Sequence, residues 1–558
     1  MKNNQNIPQK TKYTVVCGLL ILCAINACWM LSEKSLDDHE CFVSVAAREM
    51  LQSGDWVVPT LNGAPRLNKT PLSYWLVAGF SKITGRVNEF TARFPSAVFA
   101  FLTAISILYF VNQWLSFRIA VLSTAVWATS LAYINYSHNA RPDMALTFFI
   151  TLCFLSFYSA INSSNRRQQT IYAFIFWVSF GLANLAKGPA PLPLVLLPLF
   201  FFIIISRNWS VLQKLMPFVG GVLFLAIVLP WPLTVANKLN WDLTLWKHEF
   251  VDRLFGTYAR GNYPFYYYFL MIFKFMTPWV IFLPMALAAP FYKVWKKKQP
   301  VMRFLWIWFV LDFAFLTVDI GKRQHYILPL IPAMAILIGI LIEDMDFTHK
   351  AYTADFVKRI FQSHIIIINA GTIVGLVCVA VLYPQFLPGT IIFSIEAIIM
   401  TLIVSVFFAT GKPGIACGMC FAGIVGWVMI FTLTFSDFLD IDRKSRDFAQ
   451  KIAQIVPQSD KLVAYGDISS RFIHYFGKVA PEITDVSALH EHYQQGEWIV
   501  VTSEHLINDV DVDKSLRKVY YRQKKPGLKY DTGGALYHIT APIENAAIPS
   551  TDRTSLLD

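Results

Sequence analysis

Long apolar runs alternate with short polar clusters along most of the chain. The first runs from about Tyr13 to Leu31, and others fall near 95–113, 118–136, 144–161, 170–186, 189–206, 215–233, 270–292, 303–319, 325–343, 363–383, 389–410 and 415–436. A helix rises about 1.5 Å per residue, so runs of this length match a bilayer core of about 30 Å. The pattern predicts a membrane all-α domain of about thirteen transmembrane helices over residues 1–436. Beyond it, strand-like stretches at Lys461–Tyr465, Trp498–Thr502, Lys518–Tyr521 and Ala535–Ile539 alternate with helical ones such as Arg443–Ile455. That alternation predicts a small soluble α/β domain over 437–558.

Composition agrees with a lipid environment. The 558 residues are 55% hydrophobic and only 15% charged, which excludes a soluble enzyme. A net charge of +12 suggests nucleic acid at first sight, but the basic residues form clusters between apolar runs and not one basic face. Arg166-Arg167, Arg207 with Lys214, Lys293 with Lys296-Lys297-Lys298, and Lys350 with Lys358-Arg359 occupy alternate loops. By the positive-inside rule these loops are cytoplasmic, and so is the N-terminus. An odd number of spans then puts the C-terminal domain on the outer side, which is the periplasm if the membrane is a bacterial inner membrane. Lys2, Lys10 and Lys12 ahead of the first run resemble a secretory signal, but the run is too long and lacks a small-x-small cleavage site before Glu33. The cysteines lie nearly all in apolar segments, and Cys417-x-x-Cys420 has no second pair beside it, so helix packing accounts for them better than metal or disulfide chemistry.

Two outer loops are long, 32–94 and 234–269, and chemistry is expected there. Asp37-Asp38-His39-Glu40 opens the first loop; it is either an anionic collar with a helix N-cap or a source of a general base or metal ligand. Arg141-Pro142-Asp143 occupies a short outer turn, where Asp143 would at least complement a helix dipole. Lys187-Gly188-Pro189 and Gly321-Lys322-Arg323-Gln324-His325-Tyr326 place cations on the outer side, against the orientation bias. In the second long loop Glu249 and Arg253 are spaced as a helical ion pair, while His248 lies five positions from Arg253 and off that face. Such cations and carboxylates on one side suit a lipid-phosphate substrate whose reactive end lies at the interface. A transporter would place polar groups near mid-membrane on interrupted helices, and few charges fall mid-span.

The order Asp38-His39-Glu40, Ala47-Arg48-Glu49-Met50, Ser53-Gly54-Asp55-Trp56, Leu61-Asn62-Gly63 and Lys69-Thr70-Pro71 resembles the first outer loop of glycosyltransferase family 39, of the GT-C class. Arg141-Pro142-Asp143, Ala186-Lys187-Gly188-Pro189, His248-Glu249-Phe250 with Arg253, and His325-Tyr326-Ile327-Leu328-Pro329 continue the resemblance in order. This family includes protein O-mannosyltransferases and the aminoarabinose lipid A transferases. The resemblance implies inverting transfer of a sugar from an undecaprenyl-phosphate carrier to a lipid, glycan or protein acceptor at the periplasmic face, with no nucleotide. It also implies a catalytic or orienting role for Asp38 or Glu40, with Asp143 as the second acidic residue. Lys69, Lys187, Arg253, Tyr326 and Arg323 would hold the carrier phosphate, and His248 a divalent metal. Two positions depart from the lipid A enzymes: the aspartate of their Asp-Glu pair falls on His39, and the glutamate before their phosphate-contacting lysine is Asn68.

The topology is testable. A reporter fused after Asp558 is expected to be active only outside the cytoplasm. Activity confined to the cytoplasm would reverse the face of every candidate residue.

Overall fold

The computed structural model describes residues 7–242, 263–292, 295, 298–319, 321–348, 355–384, 387–440, 443–483, 497–502, 507, 510, 516–522 and 534–539. The chain forms two compact units. The first comprises Met1–Lys34, Met50–Pro59 and Arg66–Leu439; the second comprises Ser35–Glu49, Thr60–Pro65 and Asp440–Asp558. Two pieces of the first long loop thus fold with the C-terminal residues, a division that hydropathy does not register.

The first unit is helical and spans a membrane. Among the described residues nine helices are long and apolar enough to cross, or eleven if two bent pairs each count as one span. The runs near 189–206 and 363–383 are also helical: Pro191–Ser206 has 16 residues, short for a full crossing, and the second run lies within the helix Asp355–Leu382, of 28 residues. Two runs expected to be single straight helices are bent. Phe117–Ala128 and Leu131–Ser137 meet at 56°, and Tyr267–Met276 and Trp279–Phe291 at 117°. The second break falls at Thr277-Pro278, where proline has no N–H to continue the ladder.

Local chemistry sets the helix ends. The helix Glu89–Trp114 begins with a reciprocal cap: the Thr91 amide donates to Asn88 Oδ1 at 2.9 Å, and the Asn88 amide to Thr91 Oγ1 at 2.9 Å. Ser116 then caps the next helix one residue after Leu115, so these two spans are joined by a minimal turn.

Breaks free backbone groups that hydrocarbon cannot hydrate. Here the two breaks satisfy each other. The Leu131 amide donates to the Thr277 carbonyl at 2.9 Å, and Trp279 Nε1 donates to Thr129 Oγ1 at 3.0 Å. Asn26 Nδ2, from the first span, donates to the Ala128 carbonyl at 2.6 Å. Three distant segments are thereby tied at one level of the bundle.

The second unit is built on a five-stranded sheet. With β1 (Thr60–Leu61) and β2 (Ala64–Pro65) forming a separate hairpin, β3 (Leu462–Tyr465), β4 (Glu482–Ile483), β5 (Trp498–Val501), β6 (Leu516–Arg522) and β7 (Gly534–Ile539) take the order β4-β3-β5-β7-β6. β3 pairs parallel with β4 and β5, while β7 runs antiparallel to β5 and β6. Alternation sends Trp498 and Val500 to one face with Phe448, Ile452 and Phe472, and Ile499 and Val501 to the other with Tyr465 and Tyr537. The helix Arg443–Ile455 covers the first of these faces with its apolar stripe. Four strands coincide with the expected runs; β4, only two residues long, has too little alternation to be read from sequence.

In the membrane unit, backbone packs closely against backbone where Gly339, on the helix Ile331–Glu343, meets Phe117–Ala128. A Cβ there would lie 2.2 Å from Ser123 Oγ and 2.7 Å from the Ser123 amide nitrogen. Gly339→Ala is expected to destabilise the detergent-purified protein by about 3 kcal/mol, because backbone cannot yield as a flexible side chain would. Thermal unfolding of the variant checks this, and an unchanged melting temperature would show that the two helices separate at little cost.

Candidate functional site

The first-loop acids lie in the second unit, at the start of the helix Asp38–Ser53. Glu40 Oε2 accepts from the Asp37 amide at 3.0 Å, and Asp37 Oδ1 accepts from the Glu40 amide at 2.8 Å. The two carboxylates thus form a reciprocal cap that leaves Glu40 only 3% exposed. Asp38 Oδ2 accepts from Arg471 at 3.1 Å; the Asp38 side chain is 49% exposed and that of Arg471 8%. Other motif residues build the same unit. Arg48 donates to the Ile473 and His474 carbonyls at 3.0 and 2.9 Å, at the end of the helix Ser470–Phe476. Glu49 accepts from Thr60 Oγ1 and the Asn62 and Gly63 amides, holding the hairpin turn in which Gly63 has φ +79°.

A different cluster forms in the first unit. Asp143 begins the helix Asp143–Asn162 and Lys187 ends the helix Arg166–Lys187, so each charge complements the dipole of its own helix. The two side chains form an ion pair through Asp143 Oδ1, with exposures of 3% and 10%. His325 Nε2 lies 3.9 Å from the same oxygen. The Lys187 ammonium also sits 4.6 Å from the centre of the Tyr326 ring, close enough for a cation–π contact. The Gly188 amide donates to Thr70 Oγ1 at 3.1 Å, which fixes the Lys69-Thr70 segment beside the end of the Lys187 helix. Upstream, Trp75 Nε1 and Trp231 Nε1 donate to the Trp56 and Val57 carbonyls. Lys238 holds both oxygens of Asp55 at 2.8 Å. Partial burial raises the Asp55 pKa, but Lys238 and the Val57 and Val58 amides outweigh it and leave the carboxylate below its usual range.

The structure brings together Asp143, Lys187 and Tyr326 of the expected residues, and Thr70, next to Lys69, bonds to Gly188 at the end of the Lys187 helix. It adds His325 as a neighbour of Asp143, a role that the sequence did not single out within the 321–326 turn. Of the two cations in that turn, Arg323 is exposed and is fixed through its backbone, which exchanges hydrogen bonds with Tyr268 Oη at 3.2 Å. Lys322 is the buried one, at 8% exposure. Arg253 and His248 lie outside the described residues. Among the described residues no group of three or more His, Cys, Asp or Glu side chains is placed to hold a metal ion, and exposed Asn68 offers no carboxylate.

A family described as dolichyl-phosphate-mannose-protein mannosyltransferase matches residues 68–233, the stretch that holds Lys69, Asp143 and Lys187. An uncharacterised protein of Aquifex aeolicus is 31% identical over 320 residues, covering 56% of this chain and 68% of that protein. The chain belongs to the GT-C glycosyltransferases. Among curated relatives of this GT-C chain, the undecaprenyl phosphate-alpha-4-amino-4-deoxy-L-arabinose arabinosyl transferase of Pseudomonas paraeruginosa is 27% identical over 301 residues, 52% of this chain and 53% of that one. The match to these relatives spans between about half and two thirds of their length. The crystal structure of ArnT from Cupriavidus metallidurans bound to undecaprenyl phosphate has the same fold: TM-score 0.78 at 17% identity, covering 94% of this chain and 97% of that one.

In this GT-C chain the Asp143–Lys187 pair is buried, so losing one partner strands the other. Asp143→Asn is expected to cost about 3 kcal/mol through the uncompensated ammonium. Asp143→Asn combined with Lys187→Met should then melt above the single variant. A double variant that melts no higher would show that the two charges are not an energetic unit.

Proposed function

We propose that the protein is a membrane glycosyltransferase that moves a sugar, with inversion, from an undecaprenyl-phosphate carrier to an acceptor at the periplasmic face of the inner membrane. The observation that carries this reading is the lysine at the centre of the cluster: Lys187 is held by Asp143 on one side and by the Tyr326 ring on the other. An ammonium so fixed is preorganised toward an anion and loses little side-chain freedom on binding one. The donor named for the curated relatives, a sugar on undecaprenyl phosphate, supplies an anion of this kind.

In this reading Lys187 meets the carrier phosphate, with Lys69, Arg323, Tyr326 and Arg253 as further contacts. Asp143 is a positioning residue. Its contacting oxygen is already shared between Lys187 and His325, which makes it a poor acceptor for a substrate proton. The acceptor oxygen attacks the anomeric carbon, the bond to the carrier phosphate breaks, and undecaprenyl phosphate leaves with the electron pair. A hydroxyl acceptor also gives up a proton, and Asp38 is better suited to take it than Glu40, being half exposed while Glu40 is buried in the helix cap. A phosphate acceptor is already anionic and needs no base. Lipid A, another envelope glycan and a protein hydroxyl are the acceptor classes in view.

Purified protein given a polyprenyl-phosphate sugar and acceptor is expected to release polyprenyl phosphate with no nucleotide and no membrane gradient; a flippase would release none. Lys187→Ala should lower transfer by at least about tenfold, since a charge-assisted contact to a leaving phosphate contributes a few kcal/mol. Asp38→Asn should lower it by about a hundredfold if the acceptor is a hydroxyl. Should Asp38→Asn, Glu40→Gln and Asp143→Asn all transfer normally, the carboxylate chemistry assigned here is wrong.

A further inference from the structure

The two broken spans of the membrane unit open onto one cavity. It measures about 230 Å³ and is walled by Thr129, Thr277, Trp279, Glu396, Gly423 and Trp427 among others, so both helix breaks contribute to its lining. None of its residues belongs to the cluster around Asp143. The walls are apolar apart from threonine hydroxyls and one carboxyl, that of Glu396. This residue lies near the middle of the helix Leu387–Ala409, between the exposed isoleucines Ile395 and Ile398. Its carboxyl has no hydrogen-bond donor or cation as a partner among the described residues.

An ionisable group at this depth is costly unless something pairs with it, and such groups mark sites of function more often than of structure. Irregular backbone within a membrane is tolerated where it lines a cavity. Here cavity, breaks and carboxyl coincide. At the breaks the Leu131 amide is paired with the Thr277 carbonyl and the Trp279 indole N–H with the Thr129 hydroxyl, so the one carboxyl left in the walls for a ligand is that of Glu396.

We propose that this cavity binds a membrane-borne amphiphile with one hydrocarbon chain and one amine. The chain lies against Trp279 and Trp427, and the ammonium pairs with Glu396. Charge complementarity decides the headgroup: a single acidic group in an otherwise apolar pocket selects a cation over a neutral chain, and rejects a phosphate. The exposed isoleucines beside Glu396 give such a ligand continuity with the surrounding lipid.

The test uses the full chain in lipid nanodiscs and is independent of sugar transfer, so its result stands whether or not the transfer reading holds. A decylamine carrying a diazirine in its chain is photolysed with the protein, beside the alcohol of the same chain, and adducts are mapped by mass spectrometry. The expected result is labelling within the wall segments 396–404 and 420–428, at least about tenfold above the alcohol and competed by plain decylamine. Glu396→Gln, nearly isosteric, should bring amine labelling down to the alcohol level, and Thr372→Trp, which fills the cavity, should remove both. Equal labelling by the two probes, labelling spread over the lipid-facing helices, or labelling unchanged in Glu396→Gln would each overturn the proposal.

Discussion

Hydrocarbon offers no water to a peptide group, so a helix that breaks inside it must find partners for every amide and carbonyl it frees. The membrane unit meets this constraint by placing its two breaks side by side. Each supplies what the other lacks: the carbonyl of Thr277 takes the Leu131 amide, and the hydroxyl of Thr129 takes the indole N–H of Trp279. Asn26, on the first span, donates to the Ala128 carbonyl beside them. Much else follows from this joint. Because the span from Phe117 turns by 56° after Ala128, its second half ends at Ser137 and delivers Arg141-Pro142-Asp143 as a short turn leading directly into the next helix. The position of Asp143 is thus a consequence of where the preceding span bends.

Electrostatics then fixes what Asp143 can do. In water an ion pair at contact is worth about 1 kcal/mol, and removing both ions from water costs more than their attraction returns unless further dipoles contribute. At this site they do: one partner starts a helix and the other ends one, so both macrodipoles favour the observed charges. The Tyr326 ring adds a face to the ammonium. The result is a lysine whose orientation is set before any ligand arrives and whose own carboxylate is already engaged. That is why a holding role, not a proton-accepting one, suits Asp143.

Apolar run length and period-two alternation were enough to place the spanning helices and four of the five C-terminal strands, because both signals are local. The bends were not legible: Thr129-Ser130 inside an apolar run looks like any pair of small polar residues that hydrogen-bond back to their own helix. Nor was the partition of the first loop. Ser35–Glu49 joins the second unit through contacts far along the chain, Ser35 with Asp440 and Leu36 with Tyr475, and no spacing rule reports those. At the site, Lys187 and Asp143 stood out because they break or complement charge rules that sequence carries. His325 did not, since its link to Asp143 exists only once two distant turns meet. The Asp37–Glu40 spacing does encode a helix cap, and the cap is there; what spacing leaves open is that Asp38, between them, turns to Arg471.

Interrupted helices and mid-span carboxyls are the marks of a transporter, and the chain has more of both than its hydropathy suggests. Besides Glu396, Asp312 is fully buried on the helix Gln299–Val318, with neither carboxyl oxygen hydrogen-bonded among the described residues. These features do not by themselves restore that reading. In transporters the unwound backbone at a break is what coordinates the ion, and half-helix ends point at the substrate. Here the Leu131 amide is spent on the Thr277 carbonyl and the Trp279 indole on the Thr129 hydroxyl, so the two breaks are tied to each other and not to a passenger. Alternating access would also require the joint to open, and opening it would strand several polar groups in hydrocarbon at a cost of several kcal/mol each. A bundle pinned in this way resists rocking. It is better suited to holding a fixed site at the ends of its helices, where the cations gather.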